Sequence, residues 1–337
     1  MAATNNEVWQ SATVAAVIDV AAGIRRIELK PSMPKPAEPG SHIDLMVTIN
    51  GEQEKRSYSV VESIDGGATL AVSVFKAPVS RGGSVFMHTL EPGDALRITQ
   101  PLQNFPLRIG AERYVLLAGG IGITAIMNMA GVLRNVKADY TLIYAGRTRP
   151  AMAYLNELQE LHGDRLQVHA DDEGSTLDVN SLVDCVDLEA ELYMCGPIRL
   201  MDAVRRTWAE RELAPPNLRY ETFGNSGWYD PEEFVVRIPR LGVEAKVGQG
   251  RSMLEALEDA GVDMMFDCRK GECGLCEVRI LDLKGAVDHR DVFYSKRQQH
   301  AAEKMCCCVS RAVTSASGSR ADADPSGSPA VLTIDVS

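Results

Sequence analysis

The sequence lacks an excess of positive charge: 337 residues carry 35 Lys and Arg against 46 Asp and Glu, a formal net charge of -11 at pH 7. Nucleic acid and anionic membrane surfaces would be repelled by such a chain, so neither is expected as a partner. The opening residues MAATNNEVWQ lack the basic flank and apolar run of a secretory signal. A reducing, cytoplasmic location follows as the expectation, and the eight cysteines are not expected to pair as disulfides. An unbroken membrane span is missing too. Residues 114–133, YVLLAGGIGITAIMNMAGVL, are uncharged over a sufficient length, but Gly119, Gly120 and Gly122 divide them. The spacing predicts a buried strand, a glycine turn and a helix. Six histidines are present, yet no C-x-H or C-x2-H pair exists to hold a Rieske centre, and GNSGW lacks the full G-x-S-x-G spacing of a hydrolase. Nothing resembles a coiled coil or a large exposed apolar face, so a monomer is expected.

What is present divides into three regions, as the length leads one to expect. From Val8 to Arg108, short apolar runs (SHIDLMVT, RSYSVVES, TLAVSVFKA, DALRITQ) alternate with turn signals such as Asn50-Gly51 and Glu91-Pro92-Gly93. This spacing predicts an antiparallel β-barrel. From Arg113 to Phe223, strand candidates YVLLAGG, YTLIYAGR, LQVHADD, ELYMCGP and LRYETF alternate with helix candidates AMAYLNELQELHG and IRLMDAVRRTWAERE. That alternation predicts a parallel sheet covered by helices. A turn-rich stretch, GNSGWYDPEE, leads to a hairpin candidate, EFVVRIPRLGVEAKV, and to SMLEALEDAG, where Ser252 and Glu255 have capping-box spacing. The expected boundaries are 1–110, 111–224, a linker at 225–232, and 233–337 with a low-complexity insert at 314–329. The final VLTIDV alternates like a strand and would close the third domain.

CRKGECGLC gives Cys268-x4-Cys273-x2-Cys276, followed some thirty residues later by Cys306, Cys307 and Cys308. This is the plant-type [2Fe-2S] spacing, with Gly271 and Gly274 permitting the loop to approach the cluster closely. Zinc sites more often pair two C-x2-C units, so zinc is the weaker reading. Counting residues favours Cys306 as the fourth ligand. If the stretch is extended, Cys306 and Cys308 share one face while Cys307 points away into the core.

Gly119, Gly120, Gly122 and Thr124, between a strand and a helix, suit the approach of a phosphate or nicotinamide. Cys195, Gly196 and Pro197 end a later strand, and in an open parallel sheet Gly120, Thr124 and Cys195 should converge at the carboxyl ends. In the barrel, Arg56, Ser57, Tyr58 and Ser59 combine a cation, a ring and two hydroxyls: Arg56 could hold a phosphate, Tyr58 stack on a flat ring and Ser59 reach a ring nitrogen. Arg81, Gly82, Gly83 and Ser84 offer a second phosphate cradle.

In this order, these five motifs resemble the phthalate dioxygenase reductase family, which includes vanillate O-demethylase reductases, over nearly the whole chain. The resemblance implies a ferredoxin-reductase-type β-barrel binding FMN, an α/β nicotinamide-binding domain and an α+β β-grasp plant-type ferredoxin domain. It implies electron flow from NADH through FMN and a [2Fe-2S] cluster to a Rieske-type oxygenase, an aromatic-ring dioxygenase or O-demethylase. A carnitine-type monooxygenase or a haem protein is the alternative acceptor, and a redox-inactive zinc-stabilised module is the alternative of a different class. Carried over, Arg56 and Ser84 hold the FMN phosphate, Tyr58 contacts the flavin, and Ser59 lies near its reactive N5. Thr124 bridges the flavin and nicotinamide regions, Cys195 sits beside the nicotinamide, and Phe223 packs near the flavin face or serves in the core.

In the family a short hydroxyl and arginine pattern follows the fourth cysteine, and here Ser310 and Arg311 follow Cys308. The resemblance therefore selects Cys268, Cys273, Cys276 and Cys308 as the metal ligands. Ala125 replaces the usual proline after the threonine, the arm beyond Cys276 is slightly long, and a polar tail precedes the last strand. Arg269 and Lys270 are equally readable as a dock for an acidic oxygenase surface or as solvated charges. His289 reads as a structural contact. Asp171 and Asp172, after a sheet strand, are placed to bind an adenosine ribose and repel a 2′-phosphate, or simply to form a solvated turn. Steady-state kinetics should therefore give a higher kcat/KM for NADH than for NADPH; equal values would defeat this reading of Asp171.

Overall fold

A computed structural model describes residues 7–49, 51–78, 80, 82–223, 227, 229, 231–314 and 329–336. The chain forms two compact units: residues 1–196 with 203–221, and residues 197–202 with 222–337. The first holds both the expected barrel and the expected parallel sheet.

The barrel strands are β1 (Trp9–Ala21), β2 (Ile24–Pro31), β3 (Ser41–Ile49), β4 (Glu52–Ile64), β5 (Thr69–Phe75) and β6 (Ala95–Thr99), with a short α1 (Gly83–Met87) before β6. Their order, β4-β5-β2-β1-β6-β3, closes through antiparallel pairing of β3 with β4, so six strands leave no free edge. A two-residue β7 (Leu102–Gln103) pairs with β3 outside the ring. Ile43, Leu45 and Val47 alternate inward from β3 and meet Ile27, Leu29, Leu70 and Val72 in the core. Strands β1 and β2 are absent from the runs that the sequence marks most clearly. Their alternation is carried partly by alanine and broken by charged residues, and cross-strand pairing with β6 and β5 settles them.

The parallel sheet follows with β8 (Arg113–Gly119), α2 (Ile123–Asn135), β9 (Asp139–Gly146), α3 (Leu155–His162), β10 (Leu166–Ala170), α4 (Val179–Asp184), β11 (Ala190–Cys195), α5 (Ile198–Glu210) and β12 (Leu218–Glu221). Its order is β10-β9-β8-β11-β12, all parallel. The chain winds outward from β8 to β10 and then returns to β11 on the other side, so β8 and β11 flank the switch point where α/β sheets bind ligands. Residues 114–133 form strand, turn and helix, and no helix among the described residues is long and apolar enough to cross a membrane.

The second unit contains β13 (Phe234–Ile238), β14 (Val243–Val247), α6 (Met253–Asp259), β15 (Glu277–Lys284), β16 (Ala286–Asp288), α7 (Lys296–Ala301), β17 (Lys304–Cys306), β18 (Arg311–Val313) and β19 (Ala330–Asp335). The expected hairpin is β13 with β14, and Ser252 and Glu255 form a complete capping box on α6. The main sheet runs β14-β13-β19-β15-β17, with Phe234, Val236, Leu254, Leu257, Leu332 and Ile334 buried against it. The last strand is thus central, parallel to β13 and antiparallel to β15. The expected low-complexity insert falls almost entirely outside the described residues. Because β13 and β15 meet only through β19, a chain ending at residue 329 should fail to assemble this unit. Visible absorbance should then lack the iron-sulfur contribution while flavin absorbance persists; retained cluster absorbance would contradict the topology.

Candidate functional site

The glycine turn after β8 is dictated by contact. A Cβ on Gly122 would stand 2.1 Å from the Cys195 carbonyl oxygen and 2.9 Å from the Gly196 nitrogen, so only glycine lets the start of α2 touch the end of β11. Gly119, Gly120, Gly122, Thr124, Cys195 and Gly196 are thereby gathered at the carboxyl ends of β8 and β11, as the sequence predicts. The Thr124 hydroxyl is buried and donates to the Ile121 carbonyl at 2.9 Å. Gly120 has a positive φ of 53° and no atom within 4 Å of where a Cβ would stand, which leaves its backbone open to a flat ligand. Pro197 is exposed and leads into α5.

On β4, alternation separates the four motif residues. Arg56 and Tyr58 share one face; Ser57 and Ser59 lie on the other. Ser57 gives its hydroxyl to the buried Asp44 across the β3–β4 ladder, so that hydroxyl is committed within the barrel. Tyr58 rests half-buried against the barrel core. Ser59 is 6% exposed and its hydroxyl has no hydrogen-bond partner among the described residues. Burying such a group without a partner costs about 1–3 kcal/mol, a cost that a ligand accepting its proton would remove.

Arg56 reaches Gly83, where a Cβ would stand 3.0–3.2 Å from the Arg56 side chain. The two sequence-distant cradles therefore meet. Arg56 also pairs with Glu54 and donates to its neighbour's carbonyl. Beside it, Ser84 and Ser80 share a hydrogen bond at 2.9 Å, and Gly82 donates its amide to the Ser80 hydroxyl at 3.0 Å. Arg81 lies outside the described residues.

Asp171 and Asp172 form an exposed turn at the end of β10, where the Asp172 amide is held by the Arg147 carbonyl at 3.1 Å. Arg147, at the end of β9, is a cation beside this turn that the sequence did not single out. Phe223 is half-buried and falls in the second unit.

In the second unit, Cys268, Cys273 and Cys276 lie on one loop, and the amides of Lys270 and Glu272 donate to the Cys268 sulfur at 3.4 Å. Gly271 and Gly274 both have positive φ, 75° and 77°, and Cβ atoms there would strike Val309 and Phe293. The thiols of Cys306, Cys307 and Cys308 all approach Cys276, and their hydrogen bonds hold its thiol far below the ordinary range. That same bonding, with burial second, raises the three partners. Burial raises Cys268, partly offset by the loop amides. Several sulfurs that cannot ionise together are what bound iron would relieve, since it takes them as thiolates.

The triple cysteine is not extended. β17 ends at Cys306, and the chain turns so that the amides of Val309 and Ser310 both reach the Cys306 carbonyl, at 3.4 and 3.0 Å. Strand alternation therefore does not order the three side chains. The turn carries Cys308 toward the loop, where it feels Cys268 and receives the Gly271 amide. Cys306 is hydrogen-bonded to Cys276 and lies within reach of the Asp291 charge. Cys307 is fully buried, with its amide on Cys276 and its carbonyl on Leu254.

The turn is braced by Ser310, Arg311 and His289, and by Asp291, which the sequence reading passed over. Ser310 donates to Asp291 at 2.9 Å and His289 contacts the same oxygen at 3.1 Å, while Arg311 caps the carbonyls of Glu232, Gly248 and Arg251. Burial would raise the Asp291 carboxyl, but these hydrogen bonds hold it below its usual range. The sequence signals were the Ser310-Arg311 flank and His289, read as a structural contact. Arg269 pairs with Glu258 at 2.8 Å and stacks 4.0 Å over the Phe266 ring, so its charge is answered within the unit.

The 2Fe-2S iron-sulfur cluster binding domain family matches residues 236–313, and the oxidoreductase NAD-binding domain family matches residues 116–206. A putative toluene-4-sulfonate monooxygenase system reductase subunit from Comamonas testosteroni is 38% identical over 309 residues, 89% of this chain and 95% of that one. The solved phthalate dioxygenase reductase, described as a modular structure for electron transfer from pyridine nucleotides to [2Fe-2S], superimposes with a TM-score of 0.70 at 28% identity, covering 98% of both chains. An intact type IV self-sufficient cytochrome P450 monooxygenase matches with a TM-score of 0.64 at 33% identity, covering 98% of this chain but 41% of the P450. With a flavin-reductase-type barrel, a nicotinamide-binding sheet and a [2Fe-2S] domain in one chain, this protein belongs to the phthalate dioxygenase reductase family, the NADH-dependent electron-transfer components of multicomponent oxygenase systems.

Proposed function

We propose that this chain is the cytoplasmic, monomeric reductase of a Rieske-type oxygenase acting on an aromatic compound, with FMN seated on the barrel beside Arg56 and Ser84. When bound, these groups convert a hydride's two electrons into single electrons for the oxygenase. The observation that carries the reading is the gathering of Cys308 with the Cys268–Cys276 loop, under amides aimed at sulfur, in a chain whose other unit joins a phosphate cradle to a nicotinamide crevice. Within that unit, Arg56, Gly82, Gly83 and Ser84 would hold phosphate. Tyr58 packs against the flavin ring system. The Ser59 hydroxyl, without a hydrogen-bond partner among the described residues, would donate to the flavin. Gly120 and Gly122 leave room for the nicotinamide, Thr124 fixes the start of α2, and Cys195 lines the crevice. Cys268, Cys273, Cys276 and Cys308 hold the cluster.

No general acid or nucleophile is assigned, because the chain's task is to position its cofactors and set their potentials. A haem acceptor is the second reading, favoured by the match to the self-sufficient P450. The two separate by reconstitution: NADH-driven product formation with a Rieske oxygenase, and none with a haem monooxygenase, is the expected result. A purified protein without flavin or iron absorbance would sink both readings.

Two substitutions probe the sites. Cys308→Ser should abolish cluster absorbance while leaving flavin, whereas Cys306→Ser and Cys307→Ser should retain the cluster; full absorbance in the Cys308 variant would move the fourth ligand elsewhere. Ser59→Ala should slow flavin reduction by NADH roughly tenfold, the worth of about one hydrogen bond, with flavin content unchanged. A wild-type rate would remove Ser59 from the flavin.

A further inference from the structure

The barrel strand β4 changes neighbours in the middle of the candidate flavin site. It pairs with β3 through Ser59 and with β5 from Val60 onward, and the β5 ladder shifts register between Val60 and Glu62. Such an irregularity leaves backbone groups without ladder partners. The Val60 carbonyl is met by a side chain instead: the Asn128 amide nitrogen donates to it at 3.0 Å. Asn128 lies on α2, four residues beyond Thr124 and so on the same face of the helix, about 6 Å along its axis. One hydrogen bond thus ties the backbone adjoining Ser59 to the helix whose first turn holds Thr124.

The start of that helix has no slack of its own, because Gly122 lies against the Cys195 carbonyl. Barrel and sheet are also joined by the Ala22 amide to the Pro150 carbonyl at 2.8 Å, the Arg108 amide to the Tyr193 hydroxyl at 3.0 Å, and Tyr154 to Ser73. Those contacts involve neither the Ser59 to Glu62 stretch of β4 nor α2. Asn128 joins the two directly.

We propose that Asn128 is a positioning residue for hydride transfer, setting the flavin-side strand against the nicotinamide-side helix. This rests on the reading that flavin lies by Ser59 and nicotinamide by Thr124. Hydride transfer needs donor and acceptor within about 3–3.5 Å, and a misplacement of about 1 Å costs on the order of 100-fold in rate. Where α2 packs against β4, a directional hydrogen bond at this point therefore has leverage on rate that exceeds its share of stability. An open cleft of about 520 Å³ flanks the tether, lined in part by Val61, Met127, Asn128 and Tyr154, so a leucine at 128 has room without displacing the helix.

The test is anaerobic stopped-flow reduction of the holoprotein by NADH and by NADH deuterated at the transferred position. Asn128→Leu should lower the limiting rate of flavin bleaching about 10- to 100-fold. Flavin content, NADH Kd and cluster absorbance should stay at wild-type values, and a deuterium isotope effect should persist at saturation. Asn128→Ser, too short to reach Val60, serves the same criterion should the leucine variant lose flavin. In the variant that keeps its flavin, a limiting rate within about twofold of wild type, or a loss confined to NADH Kd, overturns the proposal. If NADH fails to bleach the wild-type flavin at all, the functional reading itself fails and the inference goes with it; bleaching of wild type and variant at one rate sinks the inference alone.

Discussion

The nicotinamide half of this protein depends on one backbone contact, the approach of Gly122 to the Cys195 carbonyl. It sets how closely the first turn of α2 lies to the end of β11, and so the floor of the crevice at the switch point. Any side chain at 122 would have to displace main chain, which close-packed interiors resist. Thr124 follows two residues later and Asn128 one turn beyond, so whatever fixes Gly122 also aims the helix whose amide reaches the barrel.

The iron-sulfur half solves a different problem, that of bringing a loop and a distant turn together around crowded sulfurs. The loop brings glycines with positive φ and amides pointed at sulfur. The turn is immobilised from outside by Ser310 on Asp291 and Arg311 on three carbonyls. This bracing explains why the flank of Cys308 is the informative part of the triple cysteine: its neighbours have fixed structural tasks, while the connection upstream can lengthen at small entropic cost.

Much of this was legible in local pattern. The switch from short alternating runs to strand-helix alternation marked barrel and sheet, and the glycine-interrupted apolar stretch announced its own strand, turn and helix. Where pattern failed, the cause was non-local. Strands β1 and β2 have weak local signals and are held by pairing partners distant in sequence. Residues 306–308 were read through strand alternation, but the backbone bends after Cys306, so the premise did not apply. Ser57 looked equivalent to its motif neighbours until its register opposite Asp44 engaged its hydroxyl. Arg269 read equally as a docking or a solvated charge, and the structure sets Glu258 and Phe266 beside it.

The sequence by itself determined the order of barrel, nicotinamide-binding sheet and [2Fe-2S] domain, and it nominated residues for phosphate, nicotinamide and iron. Those follow from residue chemistry at short spacings, which chain geometry alone constrains. Only the tertiary structure decided which side chains meet: Arg56 against Gly83, Ser59 buried without a hydrogen-bond partner among the described residues, Cys308 toward the Cys268 loop, and Asn128 on the Val60 carbonyl. Each of these depends on closing a chain segment of many residues and on the register of a strand, and neither quantity is written in the local pattern.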